Sequence, residues 1–421
     1  MLINLICHLS TVICNFQTIL MKKNLELLAP AGNYEKLKAA FYFGADACYV
    51  AGHEFSLRKH ADNFSFDELG EAVKFAHSLN KKIYVALNIF AHNSDFEQLK
   101  DYVKHLAKIK VDAVIVSDIG VFDFVRSYAP SLDIHISTQS NVTNYHSANF
   151  YASLGAKRII LSRELSLEEI KEIRQNLKHD VELEAFVHGA MCIAYSGRCL
   201  LSNFMANRPA NKGDCAMSCR WEYSLVEATR RNDGYDISED NRGTYILNSK
   251  DLNTLHLIDE LIKAGISSFK IEGRMKTVYY VANIVNAYRR AIDGQDITTL
   301  QEELFKSSHR KYTTGFYLQS QDTKNTENFF SNIQTSTHAF VAQVIETKKD
   351  GVLIEQRNAF KIGDTLEVLS PNKTFNKKII VTELFDEKNN SVEHAKLVQQ
   401  KLFLKTDLLL SAGDILRKKT I

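Results

Sequence analysis

An excess of charge of either sign is missing from this chain. Its 52 lysines and arginines stand against 50 aspartates and glutamates, a net +2 over 421 residues, so binding of any polyanion must come from a local basic patch. Long apolar runs are missing as well: beyond residue 20 nothing approaches 18 uncharged apolar residues, and no membrane span is expected. Cysteine is scarce, with seven in all and four of them together. A chain this long buries enough surface to need no disulfides, so the usage fits a reducing cytoplasm where thiolates bind metal.

Several catalytic fingerprints are also absent. His53-Glu54 has no second histidine three residues on, as a zinc peptidase helix requires. Ser196 lies in Ala194-Tyr195-Ser196-Gly197-Arg198 and lacks both flanking glycines of a nucleophile elbow. His188 and Cys192 could be drawn as a nucleophile and base, but that pair leaves three neighbouring cysteines without a purpose. No G-x-G-x-x-G follows the first strand-like run; Ala29-Pro30-Ala31-Gly32 supplies a turn and nothing more, which disfavours a doubly wound dinucleotide fold.

With 45% hydrophobic and 24% charged residues, the composition is that of a globular protein with room for two or three domains. Residues 1–20 are apolar but lack a basic start and a small-residue cleavage site, so they read as a leader or a mis-assigned extension before Met21. From Leu25 short apolar runs alternate with longer segments of helical spacing. The strand candidates are Leu25–Leu28, Ala47–Val50, Lys82–Leu87, Ala113–Ser117, Ile134–Ser137, Arg158–Leu161, Glu182–Phe186 and Ser268–Ile271. Helical spacing marks Tyr34–Phe43, Phe66–Leu79, Phe96–Ile109, Gly120–Tyr128 and Leu167–Leu177, with Asn33, Ser65 and Ser166 as caps. Eight such units over about 250 residues predict an α/β fold, a TIM-like (β/α)8 barrel spanning residues 21–294.

In such a barrel chemistry sits where the strands end. Polar residues recur there: Asn88, Asp118, Ser137 to Asn141, Ser162-Arg163-Glu164, His188 and Glu272-Gly273-Arg274. Helix capping competes with function for each of them singly. The connection after strand seven, 189–267, takes almost eighty residues where others take about thirty, and long connections are commonly functional. Residues 295–335 are polar and read as a linker. Residues 336–421 carry short strand-like runs split by turn sequences, which predicts a small C-terminal all-β barrel.

Cys192, Cys199, Cys215 and Cys219 open that long connection, with gaps of six, fifteen and three residues. Four thiolates suit either Zn²⁺ or an iron–sulfur cluster. Cys215-x₃-Cys219 would fit a zinc knuckle, but Cys192-x₆-Cys199 is wide for one, and the wider loop suits a polynuclear cluster better. Arg198, Arg208, Lys212 and Arg220 lie between and beside them with Phe204, Trp221 and Tyr223, the mixture that grips phosphates and bases. Surface solvation is the plainer role for those cations. Arg274, beside Glu272, is placed to hold a small carboxylate.

The run Glu184-x-Phe186-x-x-Gly189-Ala190-Met191-Cys192 followed by Gly197-x-Cys199-x-Leu201-Ser202 resembles the signature of the collagenase-like peptidase family of unknown catalytic type. Supporting stretches are Leu27 to Asn33, Ser137-Thr138-Gln139, Ser249 to Leu252, Lys270 to Lys276 and Thr313 to Tyr317. Within the family the likeness is strongest to the prephenate-dependent tRNA hydroxylases. That resemblance implies an iron–sulfur cluster, of [4Fe-4S] type, on the four cysteines, prephenate as a dicarboxylate hydroxyl donor, and 5-hydroxyuridine formed at the wobble position of a tRNA anticodon stem-loop. The candidate catalytic residues are then Glu184, His188 and Arg274. Gln139, Arg198, Arg220, Lys250, Glu272, Arg274 and Lys276 are the candidates for substrate binding. A collagenase-like hydrolase and a zinc-stabilised RNA-binding module are the competing readings.

Overall fold

The structure is a computed structural model. It describes residues 25–53, 55–56, 62–192, 195, 199–208, 210, 215–218, 239–240, 243–244, 250–318 and 334–420. Cys219, Arg198, Arg220 and the leader lie outside the described residues.

Eight parallel strands close into a barrel: β1 (Glu26–Pro30), β2 (Ala47–Val50), β3 (Lys82–Leu87), β4 (Ala113–Val116), β5 (Asp133–Ile136), β6 (Arg158–Ile160), β7 (Glu182–Ala190) and β9 (Ser268–Ile271). The last of them pairs with both β1 and β7, which closes the ring. One face of each strand meets helices and the other the lumen, so the strands read as nearly continuous apolar runs. Leu27, Val85, Val114, Ile159, Leu183 and Phe269 are wholly buried, each worth about 1.5–3 kcal/mol relative to exposure. Cys48 belongs to this layer, and burial pushes its thiol pKa well up, as suits a small hydrophobe.

The helices follow their expected signals. In α1 (Tyr34–Tyr42) Asn33 accepts from the Lys36 amide. Ser65 and Ser166 form capping boxes with Glu68 and Glu169 at the starts of α2 (Phe66–Ser78) and α6 (Leu167–Gln175). α3 (Phe96–Lys108), α4 (Ile119–Tyr128), α5 (Tyr145–Ser153) and, before β9, α8 (Ile258–Lys263) complete the run, and Asp118, a candidate site residue by position, is the N-cap of α4.

After strand seven the chain does something the sequence did not suggest. The β7–β9 register places Phe186 opposite Lys270 but His188 opposite Ile271, so Val187 is an extra residue in a bulge. Beyond it β7 leaves the barrel and pairs antiparallel with β8 (Asp251–Asn253), matching Ala190 to Asp251 and His188 to Asn253. The excursion carrying the cysteines therefore leaves and returns through one two-stranded neck.

Residues 297–318 correct the linker expectation. α10 (Ile297–Leu304) buries Leu300 and Leu304 against α9 (Val278–Ile292), and β10 (Tyr312–Thr313) pairs with β8. The C-terminal module is all β, as expected. It contains β11 (His338–Lys348), β12 (Gly351–Gln356), β13 (Thr365–Leu369), β14 (Lys378–Ile380), β15 (Leu384–Phe385), β16 (Lys401–Lys405) and β17 (Ile415–Lys419). These form one antiparallel sheet in the order β14-β13-β17-β11-β12-β16-β15, and among the described residues no ladder joins its two edges into a closed barrel. Arg417 docks the module. Wholly buried, it reaches Asn283 on α9 at 2.9 Å, Glu303 on α10 at 2.6 Å and Glu367 on β13 at 2.8 Å.

Candidate active site at the barrel mouth

Barrel lumens of this kind are usually filled by branched apolar side chains. Here the lower lumen is ionic. Arg158 on β6 is bound by Glu26 of β1, by Glu182 at 2.5 Å and by Glu184 at 3.0 Å, while Tyr84 donates to Glu26 at 2.6 Å. Burial alone would raise the Glu26 pKa, but the Arg158 charge overrides it and holds the carboxyl below its usual range. His135, edge-on to Tyr84, is kept neutral by burial and by the nearby Arg158 and Lys270 cations.

Glu184, expected to act in catalysis, belongs to this network. It is fully buried; one oxygen takes Arg158 and Ser268, and the other takes Lys270 at 2.8 Å. Lys270 lies one layer nearer the mouth, its ammonium 4.6 Å from the Tyr49 ring centre and 5.5 Å from that of Phe186. The arrangement gives Glu184 an evident job in positioning Lys270.

His188 is turned away from the lumen. The Val187 bulge reverses the side-chain parity, and the ring packs among Tyr280 and Tyr288 of α9 and Tyr312, with ring centres 5.4–6.0 Å away. Its Nδ1 meets the Tyr288 hydroxyl at 3.3 Å, and burial pushes its pKa down to about 3. A neutral imidazole with so low a pKa is a weak base, and one that faces a tyrosine box and not the lumen is poorly placed as a general base there.

The mouth itself is lined from several strand ends. Gln139, after β5, accepts from Asn88 after β3 at 2.6 Å and from Ser117 after β4 at 3.4 Å. Arg163, after β6, donates to the Ala190 carbonyl at 3.0 Å and lies 5.2 Å over Phe186. Arg274, after β9, is buried and donates to Ser56 after β2 at 2.8 Å; Glu272 accepts from Tyr49 at 3.2 Å. The structure thus brings Gln139, Glu272 and Arg274 to one end of the barrel. Lys276 has other neighbours: its ammonium faces the Ser308 carbonyl and Gln334 and lies 5.1 Å from the Tyr280 ring. Lys250 stands in the neck, its carbonyl accepting from the Met191 amide at 3.4 Å. Asn88 and Arg163 were visible as polar residues at strand ends; Lys270, inside a strand run, stood out only as the start of the family-like stretch Lys270 to Lys276.

Past the neck come the thiols. Cys192 is exposed, Cys199 and Cys215 are partly so, and all three are free. The short helix α7 (Leu201–Ala206) follows Cys199, and its Ser202 hydroxyl donates to the Arg208 carbonyl and accepts from the Ala216 amide, both at 2.8 Å. This clasp ties the Cys199 segment to the Cys215 segment. Three free thiols are suitable donors for an iron–sulfur cluster, although among the described residues no three His, Cys, Asp or Glu side chains converge closely enough to hold a metal ion.

The profile of peptidase family U32 matches residues 32–327, and that of its C-terminal domain matches residues 336–417. This chain belongs to peptidase family U32. The tRNA hydroxylation protein P1 of Bacillus subtilis is 39% identical over 420 residues, covering 97% of this chain and 98% of that protein. The 23S rRNA 5-hydroxycytidine C2501 synthase of Escherichia coli is 34% identical, covering 82% of this chain and 52% of its own. A collagenase of Porphyromonas gingivalis is 30% identical, covering 70% and 74%. Among solved structures, the U32 peptidase Mk0906 aligns at a TM-score of 0.40 with 16% identity, covering 59% of this chain and 93% of its own. Among the described residues no helix is long and apolar enough to cross a membrane.

Proposed function

We propose that this protein hydroxylates RNA and that its substrate is tRNA, where it converts the wobble uridine to 5-hydroxyuridine with prephenate as hydroxyl donor. The observation that carries the reading is the end-to-end similarity to tRNA hydroxylation protein P1, at 39% identity over nearly the whole of both chains. In net terms a base C–H and a donor C–OH become a base C–OH and a donor C–H. The base is oxidised by two electrons and the donor is reduced by two. No molecular oxygen enters that balance.

The roles fall on the mouth. Arg274, held by Ser56, would bind a donor carboxylate, and the amide and hydroxyl group of Asn88, Ser117 and Gln139 would take the polar edge of the base or donor. Lys270 would add positive charge beneath them, fixed by Glu184. Cys192, Cys199, Cys215 and Cys219 would hold an iron–sulfur cluster, which when bound would supply one-electron or Lewis-acid chemistry. The cations of the cysteine-bearing excursion would meet the phosphates of the anticodon stem-loop, whose loop bases are unpaired.

The peptidase reading is less well supported by this geometry. His188, the base it would require, is fully buried, made weakly basic by that burial and directed at tyrosines. The test is direct: anaerobically purified protein is incubated with tRNA lacking the modification, with and without prephenate, and nucleosides are read by mass spectrometry. Formation of 5-hydroxyuridine only with prephenate supports the proposal. Hydroxylation of another base, or peptide cleavage with no change in nucleosides, refutes it.

A further inference from the structure

The helix α7, between Cys199 and Cys215, is amphipathic the wrong way round. Its one fully buried side chain is Ser202, which spends its hydroxyl on the Arg208 carbonyl and the Ala216 amide. Two of its apolar side chains face outward while Leu201 and Ala206 are partly buried: Phe204 is 86% exposed and Met205 40%, and Leu200, which precedes the helix, is 70% exposed. Leu200 and Phe204 lie four residues apart and share a face, since the Phe204 amide donates to the Leu200 carbonyl at 2.9 Å. Met217, 45% exposed, follows the residue that Ser202 holds, and Tyr195, 48% exposed, stands between Cys192 and Cys199. An exposed apolar group of this kind, between two of the candidate cluster cysteines, marks an interaction surface.

Charge narrows the occupant. The segment 191–220 carries four cations, Arg198, Arg208, Lys212 and Arg220, against the single carboxylate of Asp214. Its net +3 exceeds the +2 of the whole chain, so the remainder of the protein is slightly acidic. A ligand that offers flat apolar faces together with negative charge matches both properties, whereas a second copy of this segment would bring like net charges together. Unpaired nucleotides have that combination: bases stack on aromatic and thioether groups while phosphates meet the cations.

We propose that Phe204, with Leu200 and Met205 beside it, is a stacking platform for unpaired bases of the substrate RNA. The proposal rests on the RNA reading above and locates the contact that selects loop over duplex. It assigns Phe204 a role in positioning RNA and none in the chemistry.

The test uses the full chain with Phe204→Ala, Phe204→Trp and Arg208→Gln variants. Binding to a labelled RNA stem-loop and to a blunt duplex of equal length is followed by fluorescence anisotropy across a salt series. Because Phe204 is so exposed, its replacement leaves the fold intact. Phe204→Ala weakens stem-loop binding by roughly 5- to 150-fold, the range of one base-stacking contact, and leaves duplex binding and the salt slope unchanged. Phe204→Trp keeps wild-type affinity, and Arg208→Gln lowers the salt slope by about one without changing the preference for loops. Unchanged stem-loop affinity in Phe204→Ala overturns the platform while leaving the RNA reading intact. So does an equal loss on loop and duplex, or a Phe204→Ala change in sedimentation that reveals a dimer. Wild-type protein with no affinity for the stem-loop sinks the RNA reading itself.

Discussion

Replacing Glu184 by glutamine tests whether this residue organises the lumen or enters the chemistry. In the wild type its carboxylate is wholly buried, 2.8 Å from Lys270 and 3.0 Å from Arg158. Arg158 keeps Glu26 and Glu182 after the substitution, so the loss falls on Lys270, whose side chain is 5% exposed and which has no second carboxylate partner among the described residues. Removing one member of a buried pair typically costs about 3–5 kcal/mol, because the remaining charge is left in a poor solvent. With a denaturant slope near 3 kcal/mol per molar, the urea midpoint of the barrel should fall by roughly 1–2 M. The double variant Glu184→Gln/Lys270→Met should recover most of the loss, since no charge is then stranded. Equilibrium unfolding of the three proteins, without cofactor or substrate, reads both effects. A Glu184→Gln protein as stable as the wild type but inactive would refute the structural assignment and return Glu184 to catalysis.

Three further outcomes follow from the same structure. His188 has a folded pKa of about 3 against about 6.5 unfolded, so its contribution is complete above pH 6.5 and is lost as pH falls toward 3, about 2 kcal/mol of it by pH 5; unfolding titrations of His188→Gln should show that part of the acid slope removed. Arg417→Met removes one of the two cations that Glu303 and Glu367 share and leaves them Lys306, at 2.6 and 2.8 Å, so it should cost about 1.5–3 kcal/mol, the range of hydrogen bonds to charged groups, and hydrogen exchange should show α9, α10 and β17 losing protection together. Gly189→Ala should lower the melting temperature well beyond Gly155→Ala: both glycines have positive φ, +109° and +97°, but an added Cβ at Gly189 meets the Glu272 carbonyl oxygen, while at Gly155 nothing lies within 4 Å.

Much of the barrel was legible because its strands are buried on both faces and its helices start with side-chain caps, both of which are local signals. The helix Tyr145–Ser153 escaped because its apolar residues barely favour one face, and Ile297–Leu304 because two leucines among polar residues look like a linker until α9 is present to cover them. The strand Ile415–Lys419 hid in a basic run whose Arg417 is buried only by partners on α9, α10 and β13. At the site, strand-end residues such as Gln139 and Arg274 could be found by position alone. The place of His188 could not, since it depends on one bulged residue and on a ladder to Asp251–Asn253 more than sixty residues away. The ionic lumen was equally hidden: Arg158, Glu184 and Lys270 come from separate strands, and only closure of the barrel brings them together.

The most direct measurement is the tRNA nucleoside profile of a strain lacking this protein, complemented with the wild type or with Cys219→Ser. The account predicts that 5-hydroxyuridine and its derivatives vanish in the deletion, return with the wild type and stay absent with Cys219→Ser. A deletion strain whose 5-hydroxyuridine is unchanged, with no other enzyme supplying it, would contradict the account.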